Sequence, residues 1–178
     1  MFSRDPLANP EPLIRRVYAY AAYRLGDGAD AEDATSDTFE RALRYRDSYN
    51  RDKGEPVAWV IGIARRCVDQ ILADRVPVGE PPEVEAPIDL EEEVVRRLEL
   101  SRALGTLTEQ DRELVALRYG ADLSARQIAE LFGARTNTIE VALHRAIERL
   151  RRQIARERWD PPSDPAPDGV RIEPSPPV

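Results

Sequence analysis

Several residue types are nearly absent from this chain of 178 residues, and each shortage excludes a kind of site. Cys67 is the single cysteine, so the chain forms neither an internal disulfide nor a zinc site built from cysteines and histidines. His144 is the single histidine, which argues against a metal centre and against catalysis through an imidazole. We therefore expect no catalytic residue, no metal and no cofactor, and we do not expect an enzyme.

Long apolar runs are also missing. No stretch approaches the roughly 18 apolar residues that cross a bilayer, and the first residues, MFSRDPLANPEPL, lack the apolar segment of a signal peptide. Mean hydropathy is −0.53, and charged residues make up 33% of the chain. These features predict a cytoplasmic protein without direct membrane insertion.

The formal net charge of −7 conceals an uneven distribution. Residues 76–96 carry seven acidic residues and one arginine, whereas residues 97–159 carry 12 arginines and nine acidic residues. Lys53 is the single lysine, so nearly all positive charge comes from arginine, which suits phosphate and base recognition. The average charge therefore does not exclude a basic nucleic-acid surface in the C-terminal part of the chain.

Two proline-rich acidic segments divide the chain. Residues 76–96 begin VPVGEPPEVEAPIDLEEE and predict a flexible acidic linker. Residues 157–178 contain seven prolines and predict a disordered tail. Two blocks remain, residues 11–75 and residues 97–156, and each is long enough for a small domain.

Apolar residues recur at three- and four-residue steps in both blocks, which predicts helices. Three helices are predicted in the first block, the first stopped by the sequence GDG at 26–28 and the second capped by Asp30. Their apolar positions are Ile14, Val17, Ala21 and Leu25, then Thr35, Phe39 and Leu43, then Val57, Val60, Ile61, Ala64, Val68, Ile71 and Leu72. Neither block shows strand-like alternation, so we predict an all-α fold of two small helical domains joined by the linker.

Capping residues define the helices of the second block. Thr108 begins one helix, and Ser124 with Gln127 forms a capping box for another that stops at Gly133. After a short turn, Asn137 is predicted to cap a last helix, whose apolar positions are Ile139, Leu143, Ile147, Leu150 and Ile154. Two capped helices around a glycine-containing turn favour a helix-turn-helix, with an ordinary helical hairpin as the alternative.

The segments DGADAEDATSDTFERALRY and WVIGIARRCVDQILADR, residues 27–45 and 59–75, resemble region 2 of the extracytoplasmic-function (ECF, group IV) sigma factors of bacterial RNA polymerase. The segment RALGTLTEQDRELVALRYGADLSARQIAELFGARTNTIEVALHRAIERLR, residues 102–151, resembles region 4 of the same family. The resemblance implies that residues 11–75 bind core polymerase and the −10 promoter element. It also implies that residues 97–156 bind the −35 element, so that the chain directs promoter-specific transcription initiation.

The resemblance assigns the acidic face of the second helix to docking on the clamp of the largest polymerase subunit. The residues at the matching positions are Asp30, Glu32, Asp33, Ser36 and Asp37. Ser36 and Asp37 stand where the family usually has the longer Gln and Glu. The alternative interpretation is a solvated helix face, which is what most acidic stripes are.

The loop YRDSYNRDKGEPVAW, residues 45–59, resembles the family's segment that captures a flipped −10 base and holds single-stranded DNA. The resemblance implies that the tyrosine stacks on a base, the asparagine reads a base edge and the basic residues hold phosphates. The tryptophan is either a wedge in the DNA or a core residue. The residues assigned in this way are Tyr49, Asn50, Arg51, Lys53, Trp59, Arg65 and Arg66.

The last helix corresponds to the family's recognition helix. The family commonly has Lys-Ser-Arg where this chain has Glu140, Val141 and Ala142. A glutamate can accept from cytosine N4 and a valine can contact a thymine methyl, so base reading is still expected, while phosphate contacts fall to neighbouring residues. The predicted −35 residues are Arg126, Arg135, Thr136, Asn137, Thr138, Glu140, Val141, His144, Arg145 and Arg149. His144 has the alternative interpretation of an exposed polar residue without a special role.

The resemblance implies three partners: core RNA polymerase through its largest-subunit clamp and its flap, promoter DNA, and an anti-sigma factor. Two alternatives remain. The replacement Glu140-Val141-Ala142 favours a sigma-derived interaction protein that binds polymerase or a regulator with weakened promoter reading. A conventional helix-turn-helix regulator that binds duplex operators as a dimer leaves the region 2 resemblance unexplained.

Overall fold

The helical periodicity of the N-terminal block is realised as three helices in the computed structural model, which describes residues 5–75 and 92–158. Helix α1 spans Pro10–Leu25, α2 spans Ala29–Arg44 and α3 spans Pro56–Asp74. A proline opens α1 and α3, where its missing N–H does no harm because the first N–H groups of a helix have no intrahelical acceptor. Two short 3-10 turns, Arg46–Ser48 and Arg51–Lys53, connect α2 to α3.

The predicted cap of α2 is wrong. The helix begins at Ala29, its cap position is Gly28 with a φ of 130°, and Asp30 lies in the first turn. Only glycine adopts such a φ without strain, so the backbone of the GDG turn, and not a side chain, sets where α2 starts. Asp30 instead pairs with Arg75, with 2.5 Å between Oδ2 and Nη2.

The buried stripe of α1 contains three of the four predicted positions, Val17, Ala21 and Leu25, but not Ile14. Ile14 is 43% exposed, whereas Leu13 and Tyr20 are buried beside Val17 and Ala21. One residue turns a helix by about 100°, so Leu13 faces the core where Ile14, the next residue, does not. The stripe that includes Leu13 and Tyr20 is the one that faces the core.

The C-terminal block has four helices within the described residues. Helix α4 spans Glu92–Gly105, α5 spans Glu109–Val115 and continues as a π-helical turn over Ala116–Gly120, α6 spans Ala125–Phe132, and α7 spans Thr136–Arg158. Residues 92–96, predicted as the end of the linker, are therefore helical. The rest of the predicted linker, 76–91, and the tail from 159 to 178 lie outside the described residues.

The predicted capping of α5 and α6 is confirmed. Thr108 Oγ1 accepts a hydrogen bond from the N–H of Asp111 at 3.2 Å. Ser124 Oγ accepts from the N–H of Gln127 at 3.2 Å, and Gln127 Oε1 accepts in return from the N–H of Ser124 at 2.8 Å. Gly133 ends α6 in the left-handed region, with a φ of 63°. These groups satisfy backbone atoms that would otherwise be unpaired at the helix ends.

The predicted cap of α7 is wrong. The helix begins at Thr136, so Asn137 lies inside its first turn. The turn between α6 and α7 is therefore three residues long, 133–135. A helix-turn-helix with this tight turn brings the start of α7 close to α6.

Both blocks consist of helices, and the described residues contain no strand, which confirms the all-α fold class. Helix α1 packs against α2 and α3 in the N-terminal block, and α4, α5 and α6 pack against α7 in the C-terminal block. The apolar faces that periodicity predicts in α3 and α7 are the buried ones, among them Val60, Ile61, Val68, Ile139 and Leu143.

The two blocks also pack against each other. Helix α1 contacts α5 and the π-helical turn, and α3 contacts α6, along a surface that we call the docking seam. One continuous apolar core crosses it, in which Val17 and Tyr20 meet Leu114, Leu117 and Leu123. Burial of such side chains stabilises the docked arrangement by roughly 25 cal/mol for each Å² of apolar surface removed from water.

Gly120 allows the π-helical turn to pack closely against α1 at the docking seam. A Cβ atom at this position would lie 2.9 Å from backbone atoms of Ala19 and Tyr20, and backbone cannot yield as a flexible side chain does. The π-helical turn therefore approaches α1 to a distance that only a glycine permits.

Candidate functional site

The acidic residues predicted to dock on polymerase share the outer face of α2. Asp30, Glu32, Asp33, Ser36 and Asp37 are all exposed. The opposite face, which carries Ala31, Ala34, Thr35 and Thr38, is buried against α1 and α3. Because Arg75 neutralises Asp30, most of the available negative charge comes from the other three carboxylates.

The loop between α2 and α3 is built by side chains of the predicted −10 residues. Asn50 Oδ1 accepts from the N–H of Asp52 at 2.8 Å, which holds the second 3-10 turn. The Tyr49 hydroxyl donates to the carbonyl oxygen of Gly54 at 3.0 Å. The rings of Tyr49 and Trp59 lie 5.5 Å apart at an angle of 58°. Tyr49 and Trp59 together therefore form an aromatic wall.

This wall lines a cavity of about 380 Å³ that we call the loop pocket. The loop contributes Asn50 and Lys53 to it, and α3 contributes Trp59 and Arg66. Aromatic rings, an amide and basic groups thus converge on one concavity. Helix α6 of the C-terminal block also lines it, through Gln127, Glu130 and Leu131.

A second cavity, of about 530 Å³, also borders Trp59. Arg41, Arg44 and Tyr45 from the end of α2 line it together with Arg66. Arg41, Arg44 and Tyr45 are not among the predicted −10 residues, although their position just before the loop could have identified them. The basic surface around the loop is therefore wider than predicted.

Arg65 does not join the other predicted −10 residues. Its Nε donates to Glu113 Oε1 at 2.7 Å, and its guanidinium lies over the ring of Phe132, with 4.4 Å to the ring centre. Both partners belong to the C-terminal block. Arg65 is next to Arg66 on α3, but its charge is satisfied at the docking seam.

Glu113 is the centre of a polar group buried at the docking seam, which we call the Glu113 cluster: Tyr20, Arg24, Arg65 and Glu113. Tyr20, Arg24 and Glu113 are only 0%, 5% and 8% exposed. The Tyr20 hydroxyl donates to Glu113 Oε2 at 2.9 Å. Arg24 Nε lies 2.7 Å from the same oxygen as an ion pair, without the alignment of a hydrogen bond. Burial, together with the charge of Glu113, raises the pKa of Tyr20, so its hydroxyl remains a donor.

The predicted −35 residues around the start of α7 share an outer surface. All ten are exposed: Arg126, Arg135, Thr136, Asn137, Thr138, Glu140, Val141, His144, Arg145 and Arg149. Two of the arginines are engaged within the block: Arg126 pairs with Glu130 at 2.9 Å, and Arg149 pairs with the buried Asp111 at 2.6 Å. Arg149 therefore ties α7 to α5, which leaves Arg135 and Arg145 as the main positive charges beside Glu140.

Two further properties of the described residues bear on function. Within 5–75 and 92–158, none of the helices is both long and apolar enough to span a membrane. The same two ranges contain no group of three or more His, Cys, Asp or Glu side chains arranged to hold a metal ion.

Comparison with known proteins assigns both blocks. The profile of sigma-70 region 2 matches residues 11–75, and the profile of sigma-70 region 4 matches residues 97–150. The ECF RNA polymerase sigma factor BldN of Streptomyces coelicolor is 36% identical over 147 residues, which are 78% of this chain and 56% of BldN. The ECF sigma factor SigK of Mycobacterium ulcerans is 28% identical over 148 residues, 76% of this chain and 78% of SigK.

Solved structures agree with the fold. The sigma factor RpoE of Bartonella quintana, in complex with the anti-sigma factor NepR, has a TM-score of 0.60 at 21% identity and covers 80% of this chain and 92% of its own. CnrH, in complex with the cytosolic domain of CnrY, has a TM-score of 0.60 at 18% identity over 83% of each chain.

The two sigma-70 profiles together match most of the chain, in the order region 2 and then region 4, so the chain belongs to the sigma-70 family. It belongs to the extracytoplasmic-function sigma factors, the family of both curated relatives.

Proposed function

We propose that this protein is a group IV sigma factor that binds core RNA polymerase and directs promoter-specific initiation, with catalysis left to the polymerase. The observation that carries the proposal is the loop pocket, because it combines an aromatic wall with converging basic groups on the same chain as an exposed recognition helix. Neither feature alone distinguishes an initiation factor from a duplex-binding regulator.

Core binding falls to the acidic face of α2. Glu32, Asp33 and Asp37 offer carboxylates that suit Arg and Lys side chains on the polymerase clamp. The C-terminal block is the part that contacts the polymerase flap. These contacts place both DNA-reading blocks on the enzyme.

Capture of the −10 element falls to the loop pocket. A base flipped out of the duplex loses its stacking, which costs a few kcal/mol, and regains it on an aromatic side chain. Tyr49 and Trp59 supply that stacking surface, and Asn50 supplies an amide for the base edge. Arg51, Lys53 and the arginines at the end of α2 hold the phosphates of the single strand.

Reading of the −35 element falls to the outer face of α7. Glu140 and Val141 lie where side chains at the start of a recognition helix enter the major groove. Arg135 and Arg145 contact the phosphates on either side. An anti-sigma factor, like those in the two structural relatives, is the expected regulator.

Run-off transcription with purified core polymerase on genomic promoter fragments tests the proposal. We expect discrete transcripts that depend on the added chain. Core binding without initiation would instead support a sigma-derived interaction protein, which the replacement Glu140-Val141-Ala142 favours. Absence of core binding would rule out both functions.

Arg145→Ala is expected to weaken binding of a −35 duplex and to reduce the slope of log affinity against log salt by about one. Arg145 is exposed on the third turn of α7, in the N-terminal half of the helix, where we expect it to contact the DNA backbone. Glu140→Lys is expected to act in the opposite direction, because it replaces a repulsive charge with an attractive one. Fluorescence anisotropy at several salt concentrations measures both effects.

The control is Arg156→Ala, an exposed arginine near the other end of α7 that should leave the slope unchanged. Equal slopes for Arg145→Ala and the wild-type protein would refute the assignment of the recognition helix.

A further inference from the structure

We propose that a basic groove at the C-terminal end of α7 binds the acidic, proline-rich stretch that follows this helix in the same chain, residues 160–168. The basic groove is a cavity of about 260 Å³ between α7 and the turn from α4 to α5. The two sides are lined from α7 by Arg149, Arg152, Gln153 and Arg156, and from the turn by Thr106 and Thr108. Such a contact goes beyond the proposed function, which assigns no role to Arg152, to Arg156 or to the tail.

The basic groove carries positive charge that no described residue balances. Arg149 pairs with the buried Asp111, with 2.6 Å between Nη1 and Oδ2, so these two charges cancel. Arg152 and Arg156 are exposed, and neither forms an ion pair with another described residue. The side-chain amide of Gln153, half-buried in the groove, also has no hydrogen bond within the described part of the chain. Two guanidinium groups and an amide are therefore available to an anion.

Helical spacing places both of these arginines in the groove. Residues 149, 152, 153 and 156 are three or four positions apart, or adjacent, so they share one face of α7. Arg151, next to Arg152 in the sequence, does not line the groove and pairs with Glu148 at 2.9 Å. Arginines near the C-terminal end of a helix also interact favourably with the helix dipole, but the dipole does not select a face. Only a ligand in the groove distinguishes Arg152 from Arg151.

The stretch that follows α7 has the complementary charge. Its sequence, DPPSDPAPD, contains Asp160, Asp164 and Asp168 and no basic residue. Four of its nine residues are prolines, which favour an extended backbone that loses little conformational entropy on binding. Carboxylates at every fourth residue can then form charge-assisted hydrogen bonds with guanidinium groups along one side of the peptide.

The stretch is also close enough to reach the whole groove. Helix α7 ends at Arg158, and Arg152 lies about 9 Å before that end along the helix axis. Asp164 is six residues beyond Arg158, and an extended chain of that length spans roughly 20 Å, enough to reverse direction and return to Arg152. Covalent attachment gives the stretch a local concentration in the millimolar range, so weak contacts are sufficient.

The test measures whether the tail lies in the groove of the full-length chain. A nitroxide on Val170→Cys, just beyond the acidic stretch, broadens the NMR signals of the amides that it approaches. Cys67 is 2% exposed and does not take up the label. The reporters are the backbone amides of Thr106 and Thr108, because these residues line the groove and are distant from the tail in the sequence.

Loss of either set of charges is expected to release the tail. The tail variant, in which Asp160, Asp164 and Asp168 all become asparagine, should reduce the paramagnetic relaxation rate of both reporter amides. The groove variant, Arg152→Gln with Arg156→Gln, should reduce it equally, because both variants remove the same contacts. We expect a reduction of roughly threefold, the size that a few exposed ion pairs supply.

Two single substitutions provide the controls. Arg151→Gln is matched to Arg152→Gln, since it removes an arginine from the same turn of α7 outside the groove. Glu173→Gln removes a carboxylate of the tail outside residues 160–168. Both controls should leave the relaxation rates unchanged. Equal rates in the groove variant, in Arg151→Gln and in the wild-type chain would overturn the proposal.

DNA is the rival occupant of the groove, and fluorescence anisotropy with a labelled duplex of alternating A and T tests it. If the tail holds the groove, the groove variant binds the duplex as the wild-type chain does. The tail variant then has a slope of log affinity against log salt that is steeper by about two, one for each released arginine. A groove variant that loses duplex affinity while its reporter amides stay broadened would assign the groove to DNA and overturn the proposal. Neither measurement involves polymerase, so both stand apart from run-off transcription.

Discussion

Asp33→Arg is expected to lower the affinity of the chain for core RNA polymerase roughly 30-fold, equivalent to about 2 kcal/mol of binding free energy. Asp33 is exposed at the middle of the acidic face of α2, between Glu32 and Asp37. The substitution removes an attraction to basic side chains of the clamp and puts a like charge in its place. Titration of labelled core polymerase with the variant and the wild-type chain measures the difference.

Two further variants sharpen this prediction. Asp33→Asn removes the charge without reversing it, so its affinity should lie between those of Asp33→Arg and the wild-type chain. Glu11→Arg makes the same reversal at an exposed position on α1, away from the docking face, and should leave the affinity nearly unchanged. Equal losses of affinity for Asp33→Arg and Glu11→Arg would mean that only net charge matters and that the acidic face of α2 does not bind core polymerase.

Arg24→Leu is expected to lower the free energy of unfolding by about 3 kcal/mol, the lower end of the range for breaking a buried ion pair. Arg24 is 5% exposed and contacts Glu113 at 2.7 Å, Glu109 at 2.8 Å and Asp69 at 3.4 Å. Its loss leaves the buried carboxylate of Glu113 with Arg65 and the Tyr20 hydroxyl alone. Urea unfolding followed by circular dichroism measures the change.

Arg15→Leu provides the matched control for this stability prediction. Arg15 lies on the same helix and also pairs with a glutamate, Glu11, but both side chains are largely exposed. Surface pairs contribute little, so a change within about 0.5 kcal/mol is expected. If Arg24→Leu were as mild as Arg15→Leu, the Glu113 cluster would not contribute to stability.

The parts of the fold that depend on local chemistry could be predicted from the sequence. Ser124 and Gln127 are three residues apart, and a capping box needs only that spacing, so the start of α6 was predictable. Asp30 and Asn137, by contrast, do not cap their helices. Each is a good capping residue, but Gly28 and the short turn before α7 set the helix starts two residues earlier than these caps would.

The docking of the two blocks could not be predicted from the sequence. Arg65 and Glu113 are 48 residues apart, and neither has a pattern around it that specifies the other. In the sequence, Arg65 resembles a DNA contact because it follows Trp59 on α3. The direction of its side chain instead depends on the carboxylate of Glu113, which only the tertiary fold brings close to it. Exposure of Asp33 or Arg145 was predictable because helical periodicity alone determines it.

Gln127 shows how a helix start can decide which chemical group meets a neighbour. Its amide has one carbonyl oxygen, and the N–H of Ser124 uses that oxygen at 2.8 Å. The amide nitrogen must then point away from the cap, and it reaches Glu55 Oε2 at 3.0 Å. A glutamate in this place would cap α6 equally well but would face Glu55 as a like charge. An amide and a carboxylate at this position would therefore cap α6 equally well. They would differ only in their interaction with Glu55 of the N-terminal block.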